Sequence, residues 1–317
     1  MRTINPIPVR WLLAVLYLAI GFCTAYGQSL LVFPRSNNAN IGIIVMDLST
    51  GETVAEYNAE RMLTPASITK CVTAAAVEMA GLADDTYLTE VFVRGSDDGC
   101  GRLYGDIVVK ASGDPTIESG RFAGKGNIIN AITKALHESN INEIYGALEI
   151  DSVGFKEQGP IGTWEMGDLR HAYGAGLYAI NFRDNAVNQL ALEDPGEELL
   201  IALEERLDHD SIDVDWNDVA PTPAPMRSIA TIISPTLDEI LRVTLETSHN
   251  LYAEAMLRKL APWGYRADAL KRETALLAES GIDVESARIF DGSGLTRANS
   301  MTPRFMASLL AYCARQP

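Results

Sequence analysis

Residues 63–81 read Leu-Thr-Pro-Ala-Ser-Ile-Thr-Lys-Cys-Val-Thr-Ala-Ala-Ala-Val-Glu-Met-Ala-Gly, and this stretch predicts a buried helix. Thr64 is a good N-cap, Pro65 suits the first helical position, and Gly81 is typical of a helix end. Residues 66–80 are apolar nearly all round, which indicates burial on most sides.

Ser67 and Lys70 are the candidate chemical pair on this helix. Side chains three residues apart share one helical face. A serine hydroxyl is a weak nucleophile unless a base takes its proton, and burial lowers the pKa of a lysine so that it can be that base. The Ser-x-x-Lys pattern is weak by itself, and the alternative is a surface serine and lysine on an ordinary helix. This is its one occurrence in the chain, and Lys70 is the one cation in residues 66–80.

The flanking sequence predicts a β-hairpin before the helix and a region of short strands and Gly-rich turns after it. Residues 41–48 look like a buried strand, and residues 53–57 return as a second strand after a turn. From residue 88 to 231, short strands such as 106–110 and 147–150 alternate with Gly-rich turns and one helix at 128–139. A stiff Pro-rich connector lies at 221–225. We interpret residues 88–231 as an inserted α+β module.

Strong helical pattern resumes at Thr236 and breaks at Ser248-His249-Asn250 before it restarts. At this break Ser248 could supply a second hydroxyl for proton relay and Asn250 an amide to hold substrate. The alternative is simple helix capping, for which serine and asparagine are also suited. The other Ser-x-Asn, which begins at Ser36, lies in a disordered-looking segment and is set aside. A last amphipathic helix is predicted from Thr302 to about residue 315.

The N-terminus predicts a cleaved export signal. Residues 11–20 form an apolar run that follows Arg2 and Arg10, too short for a membrane span and typical of a signal-peptide core. Small residues at Ala25 and Gly27 place the mature start at Gln28, so residues 1–27 are the signal peptide. We expect a periplasmic or exported protein with no stable membrane anchor after cleavage. The alternative is an anchor that is retained.

Composition excludes several classes of function. The formal net charge is −16 and no basic stripe occurs, which argues against nucleic-acid binding. The three cysteines after residue 28 are widely spaced, and the four histidines show no ligand spacing, so neither a disulfide framework nor a metal or cofactor site is predicted. Without a Gly-x-Ser-x-Gly elbow, a Ser-His-Asp esterase is not indicated.

Five ordered segments together resemble the class C low-molecular-mass penicillin-binding proteins, the D-alanyl-D-alanine carboxypeptidase/endopeptidases. They are far more specific jointly than any one of them. The segments are Leu-Thr-Pro-Ala-Ser-Ile-Thr-Lys at 63–70, Ala-Ser-Gly-Asp-Pro-Thr at 111–116, Tyr-Gly-Ala-Gly-Leu-Tyr-Ala-Ile-Asn at 173–181, Ser-His-Asn-Leu-Tyr-Ala-Glu at 248–254 and Asp-Gly-Ser-Gly-Leu-Thr-Arg at 291–297.

The resemblance implies an α/β (α+β) fold of the β-lactamase/transpeptidase type, a helical cluster against an antiparallel sheet. Residues 28–87 and 232–317 would form the catalytic domain, interrupted by the module. Ser67 would attack the bond between two D-alanines of peptidoglycan stem peptides, with Lys70 as base. Ser248 would relay the proton and Asn250 would orient the acyl amide. β-Lactams would acylate Ser67 in the same way.

The chain departs from the family pattern at three points. His249 stands where aspartate is common, the insertion between Ser67 and Ser248 is short, and no Lys-Thr-Gly triplet occurs. That triplet supplies carboxylate binding and one oxyanion-hole strand in the family, so we expect C-terminal sheet strands to be missing. The chain made alone is then expected to be poorly soluble and nearly inactive. The alternatives are a truncated pseudoenzyme that binds cell-wall peptide, or a β-lactamase. The sequence gives no oligomeric state.

Overall fold

The structure is a computed structural model and describes residues 39–216, 225–262 and 264–316. The expected signal peptide at 1–27, the Ser-x-Asn that begins at Ser36 and residues 221–224 of the connector lie outside the described residues. In the part of the chain that is described, no helix is long and apolar enough to cross a bilayer.

Seven α-helices and twelve short strands are formed by the described residues. The helices are α1 Lys70–Met79, α2 Ile128–Glu138, α3 Pro195–His209, α4 Leu237–Thr247, α5 Asn250–Lys259, α6 Arg266–Glu279 and α7 Pro303–Cys313. The strands are β1 Ile43–Met46, β2 Thr53–Tyr57, β3 Leu88–Asp97, β4 Arg102–Lys110, β5 Glu143–Gly146, β6 Leu148–Asp151, β7 Ala186–Val187, β8 Leu190–Ala191, β9 Asp213–Trp216, β10 Met226–Ile233, β11 Ala287–Arg288 and β12 Ser300–Met301.

The chain divides into two compact units. Among the described residues, one unit takes 39–63 together with 301–316, and the other takes those between Thr64 and Ser300. The interpretation of residues 88–231 as an inserted module within the second unit stays a prediction.

The first unit joins the two ends of the described chain. Strands β1 and β2 form the predicted hairpin, antiparallel with Ile43 opposite Tyr57. Helix α7 packs on β1, and the Thr302 hydroxyl caps it by accepting from the Phe305 amide at 3.0 Å. The expectation of a buried first strand is wrong in part, because Val45 is 42% exposed.

In the second unit, helices α1, α4, α5 and α6 pack on one another. Apolar side chains of α1, α4 and α5 form a shared core with Tyr87 and Leu177. Helix α4 begins with a reciprocal capping box between Thr236 and Glu239, as the helical pattern predicts. The break before α5 also lies where the sequence predicts it.

A six-stranded mixed sheet forms the other core of the second unit. Its order is β10-β3-β4-β5-β9, with β6 also paired to β4. Strands β3, β4 and β10 are antiparallel neighbours, whereas β5, β6 and β9 run parallel to theirs. Helix α2 packs on β10 and α3, and α3 also packs on β9. The predicted α/β class is confirmed, but two helices, α3 and α6, were missed.

Candidate active site

Ser67 lies in a short 3-10 turn, Ala66–Thr69, that leads directly into α1. The expectation of a Thr64 cap on one continuous α-helix is wrong, because Pro65 occupies the cap position and no side chain caps the turn. Ala66 has φ +48°, a left-handed conformation that costs about 1–3 kcal/mol for a residue with a Cβ. Ser67 follows Ala66 in this constrained turn and is exposed.

Lys70 is buried beneath Ser67 and is only 2% exposed. Its Nζ lies 3.1 Å from Ser67 Oγ, 2.6 Å from Asn250 Oδ1 and 2.7 Å from the Ser293 carbonyl. An ammonium has three hydrogens to donate, and here it finds three acceptors. If Lys70 is neutral, the Asn250 and Ser293 oxygens can hold its two hydrogens and leave the lone pair toward Ser67.

The pKa of Lys70 lies at about 8, below its ordinary value of 10.5. Burial is the cause, and it is opposed by the charges of Glu254, Asp291 and Cys71, in that order. About a tenth of Lys70 is therefore neutral at pH 7 and about half at pH 8, and the neutral amine is the state that can accept a proton from a hydroxyl.

Asn250 is the first residue of α5, and both ends of its amide are bonded. Its Oδ1 accepts from Lys70, and its Nδ2 donates to the Tyr173 carbonyl at 2.7 Å. The amide is thereby fixed between the α1 lysine and the segment that follows residue 172. The structure brings Ser67, Lys70 and Asn250 together.

Ser248 is placed differently. It is exposed, in a left-handed conformation at φ +58°, where α4 ends. Among the described residues no hydrogen bond joins its hydroxyl to Lys70 or Ser67. It instead lines an open groove of about 640 Å³ that also contains Asn250, Tyr173 and Arg121. Its relay role stays a prediction.

The loop 291–296 closes the site on the side of the Ser293 carbonyl. Asp291 is fully buried, and its Oδ1 accepts from the Gly294 amide and the Asn299 side chain at 2.9 and 2.6 Å. Its Oδ2 accepts from Trp164 Nε1 at 2.9 Å and the Thr296 amide at 2.8 Å. Every strong bond is donated to this side chain, which is the pattern of an ionised carboxylate.

Two further buried acids lie behind Lys70, and sequence reasoning gave them no role. Glu254 is 3% exposed and accepts from the Ser293 amide at 2.8 Å. Glu273 is 0% exposed and lies 3.1 Å from the Thr73 hydroxyl. A glutamate inside an otherwise buried helix is the signal that could have identified Glu254. In the part of the chain that the structure describes, no group of three or more His, Cys, Asp or Glu side chains is arranged to hold a metal.

All five segments singled out in the sequence join in one set of contacts. Residues 67–70, 250–254 and 291–294 meet at Lys70, and residue 173 meets them through Asn250. The Gly113 amide donates to the Ala179 carbonyl at 2.7 Å, which ties segment 111–116 to segment 173–181.

Residues 28–215 and 189–317 match the protein family described as D-Ala-D-Ala carboxypeptidase 3 (S13). The chain belongs to this family. It is a family of serine peptidases, which agrees with a serine and a buried lysine in hydrogen-bond contact at the centre of the site.

Related proteins of known name and structure agree with this assignment. D-alanyl-D-alanine carboxypeptidase DacB of Haemophilus influenzae is 20% identical over 351 residues, which cover 87% of this chain and 71% of that protein. A D-alanyl-D-alanine carboxypeptidase of an Actinomadura species is 28% identical over 154 residues, 48% of this chain and 27% of that protein.

The fold is shown by the crystal structure of penicillin binding protein 4 (DacB) from H. influenzae. It matches with a TM-score of 0.72 at 19% identity and covers 88% of this chain and 76% of that one. A second structure of that protein is a complex with a β-lactam, and it matches with a TM-score of 0.65 at 19% identity, covering 88% of this chain and 75% of that one.

Proposed function

We propose that this chain is a serine-type D-Ala-D-Ala carboxypeptidase/endopeptidase that acts on peptidoglycan stem peptides through an acyl-enzyme on Ser67. Membership of the family supports the reaction class. The observation that carries the proposal is the buried Lys70 amine, 3.1 Å from an exposed Ser67 hydroxyl and bonded to two further oxygens.

In the proposed acylation, neutral Lys70 takes the hydroxyl proton of Ser67 as Oγ bonds to the carbonyl carbon of the penultimate D-alanine. The carbon–nitrogen bond then breaks, and the leaving amine takes the proton from Lys70 by way of Ser248 and departs as D-alanine. Water attacks the resulting ester with loss of a proton to Lys70, and Ser67 regains its hydrogen. The acids and bases are then as they were at the start.

Asn250 and Ser248 have supporting roles in this proposal. Asn250 would orient the acyl amide, which is consistent with its fixed position between Lys70 and Tyr173. Ser248 would pass the proton to the leaving amine, and its exposed hydroxyl in the adjoining groove is accessible to a bound peptide.

The cellular context belongs to the same proposal. Residues 1–27 would be removed on export, and the mature chain would act in the periplasm or outside the cell. Its ligands would be stem peptides and β-lactams, since a β-lactam complex is known for the structurally similar H. influenzae protein.

Labelling with a fluorescent penicillin tests the proposal. The wild-type chain should form a stable covalent adduct that mass spectrometry locates on Ser67, and it should release D-alanine from a stem pentapeptide. Both reactions should be slow, because the chain has no Lys-Thr-Gly triplet. Ser67→Ala should give no adduct, whereas Ser139→Ala, at an exposed serine that ends α2, should label like wild type. Lys70→Arg keeps a charge that cannot act as base, so the labelling rate should fall about 10²–10⁴-fold.

Other outcomes identify the alternatives. A folded chain that binds stem peptide but forms no adduct would be a pseudoenzyme. An adduct that turns over quickly and releases hydrolysed penicillin would indicate a β-lactamase. Equal labelling of Ser67→Ala and wild type would show that Ser67 is not the nucleophile.

A further inference from the structure

Helix α5 carries two side chains that determine the surroundings of Lys70. Helix α5 carries Asn250, which accepts directly from Lys70, and Glu254, four residues on and therefore on the same face. Glu254 Oε1 accepts from the Ser293 amide at 2.8 Å, and the Ser293 carbonyl accepts from Lys70 at 2.7 Å. Glu254 thus fixes the residue that supplies the third acceptor of the lysine.

The three buried acids around Lys70 differ in their hydrogen bonds. Thr73 has one hydroxyl hydrogen but lies 3.1 Å from both Glu273 Oε1 and the Gly292 carbonyl. Two full hydrogen bonds form if Glu273 is protonated and donates to the Thr73 oxygen while Thr73 donates to the Gly292 carbonyl. Burial raises the pKa of Glu273 to about 8, with the charges of Glu254 and Asp291 acting in the same direction. Glu273 is therefore neutral at pH 7, whereas Asp291 has the bonding of a carboxylate.

Glu254 is the acid whose charge acts most strongly on Lys70. Among the groups that face the lysine, Glu254 on α5 opposes the effect of burial most, followed by Asp291 in its loop and Cys71 on α1. His249 also faces the site, and burial holds its pKa at about 4, so it is uncharged at neutral pH. Burial raises the pKa of Glu254 itself to about 7, with the Asp291 charge adding to the shift.

We propose that Glu254 is a positioning residue for the reaction. It holds the Ser293 carbonyl on Lys70, and its negative charge sets the pH range over which Lys70 gives up its proton. This inference rests on the proposed function, in which neutral Lys70 is the base for Ser67.

The pH profile of acylation tests this role, with fluorescent penicillin as the probe and the full chain as the protein. In wild type the acylation rate should rise with pH around a midpoint near 8, the pKa of Lys70. Glu254→Gln keeps an oxygen for the Ser293 amide but removes the charge, so the midpoint should move about one pH unit lower. At a pH below both midpoints, the acylation rate of Glu254→Gln, expressed as a fraction of its high-pH plateau, should then be about tenfold higher than that of wild type.

Glu273→Gln is the matched control from the same buried cluster. A neutral amide replaces an acid that is mostly neutral below pH 8 and can still donate to Thr73. The acylation rates of this variant below pH 8 should therefore follow those of wild type. Glu246→Gln, at an exposed position of α4, should also leave the profile unchanged.

Glu254→Asp separates the charge from the contact. The charge remains while the carboxylate withdraws by one methylene from the Ser293 amide, so the midpoint should stay and the rate should fall at every pH. This variant also carries the test if the glutamine variant does not fold.

Identical profiles and rates for wild type, Glu254→Gln and Glu254→Asp, with Ser67 labelled in all three, would overturn the positioning role alone. Failure to label Ser67 in the wild-type chain would overturn the proposed function instead. The two failures are therefore distinguishable.

Discussion

The residue before Ser67 is held by a glycine from a distant part of the chain. Gly294 has φ +77°, and a Cβ at this position would lie 1.9 Å from the Ala66 carbonyl oxygen. The Ala66 carbonyl also accepts from the Thr69 hydroxyl at 2.9 Å. The left-handed Ala66 and the exposed Ser67 therefore depend on close backbone contact with the loop 291–296.

Gly294→Ala should displace the Ser67 turn and lower the rate of labelling by fluorescent penicillin about 10–100-fold. Gly81→Ala is the matched control, because Gly81 also has a left-handed φ of +69° but has nothing within 4 Å of an added Cβ. That variant should lose about 1–2 kcal/mol of stability and keep its labelling rate. Equal labelling rates in the two variants would contradict the close-contact explanation.

Helices were predicted correctly where the residues that cap them lie next to them in the sequence. The cap at Thr302 and the box at Thr236 lie next to the helices that they begin, and both helices were predicted from sequence. Helix α3 was missed although it has similar signals, an Asp194 cap and Pro195 at its first position. Ser67 was expected in an α-helical turn. It lies instead in a 3-10 turn whose backbone is in close contact with Gly294.

Thr236→Ala should remove one member of the α4 capping box and lower the free energy of unfolding by about 0.5–2 kcal/mol. The Thr236 hydroxyl accepts from the Glu239 amide at 3.3 Å, and the Glu239 carboxylate accepts from the Thr236 amide at 2.9 Å. Thr247→Ala at the exposed other end of α4 should cost far less, because alanine is the better helix former. Urea unfolding of both variants measures the difference, and equal losses would show that the box contributes nothing.

Across the whole molecule, the buried acids couple stability to pH. The folded-state pKa values of Glu254 and Glu273 are raised to about 7 and about 8, above the ordinary value of 4.5. The folded state therefore holds protons that the unfolded chain has released. The stabilisation is complete below about pH 4.5 and is lost as pH rises through 7 and 8. The lowered pKa of Lys70 affects stability in a separate pH range, between about 8 and the ordinary lysine value of 10.5.

These two acids should accordingly remove up to about 6 kcal/mol of unfolding free energy from the wild type between pH 5 and pH 8.5, measured by urea titration. Glu273→Gln should reduce this loss, because the amide needs no proton to donate to Thr73. The exposed Glu246→Gln should retain the full loss. A wild-type stability that rises over this range would contradict the assignment of a neutral Glu273.

Sequence alone determined the features that depend on neighbours along the chain and on composition. These are the hairpin, the capped helices α4 and α7, the Ser67–Lys70 spacing and the burial that lowers the pKa of Lys70. Each follows from a short pattern of apolar, capping or turn residues.

Only the tertiary structure decided which groups bind Lys70 and which of the acids around it are protonated. Lys70 meets Asn250 across 180 residues and Ser293 across 223, separations over which no local pattern operates. Whether Glu254, Glu273 and Asp291 are charged depends on how far each is removed from water and which donors it meets. Those quantities exist only once the helices and the loop 291–296 have packed together.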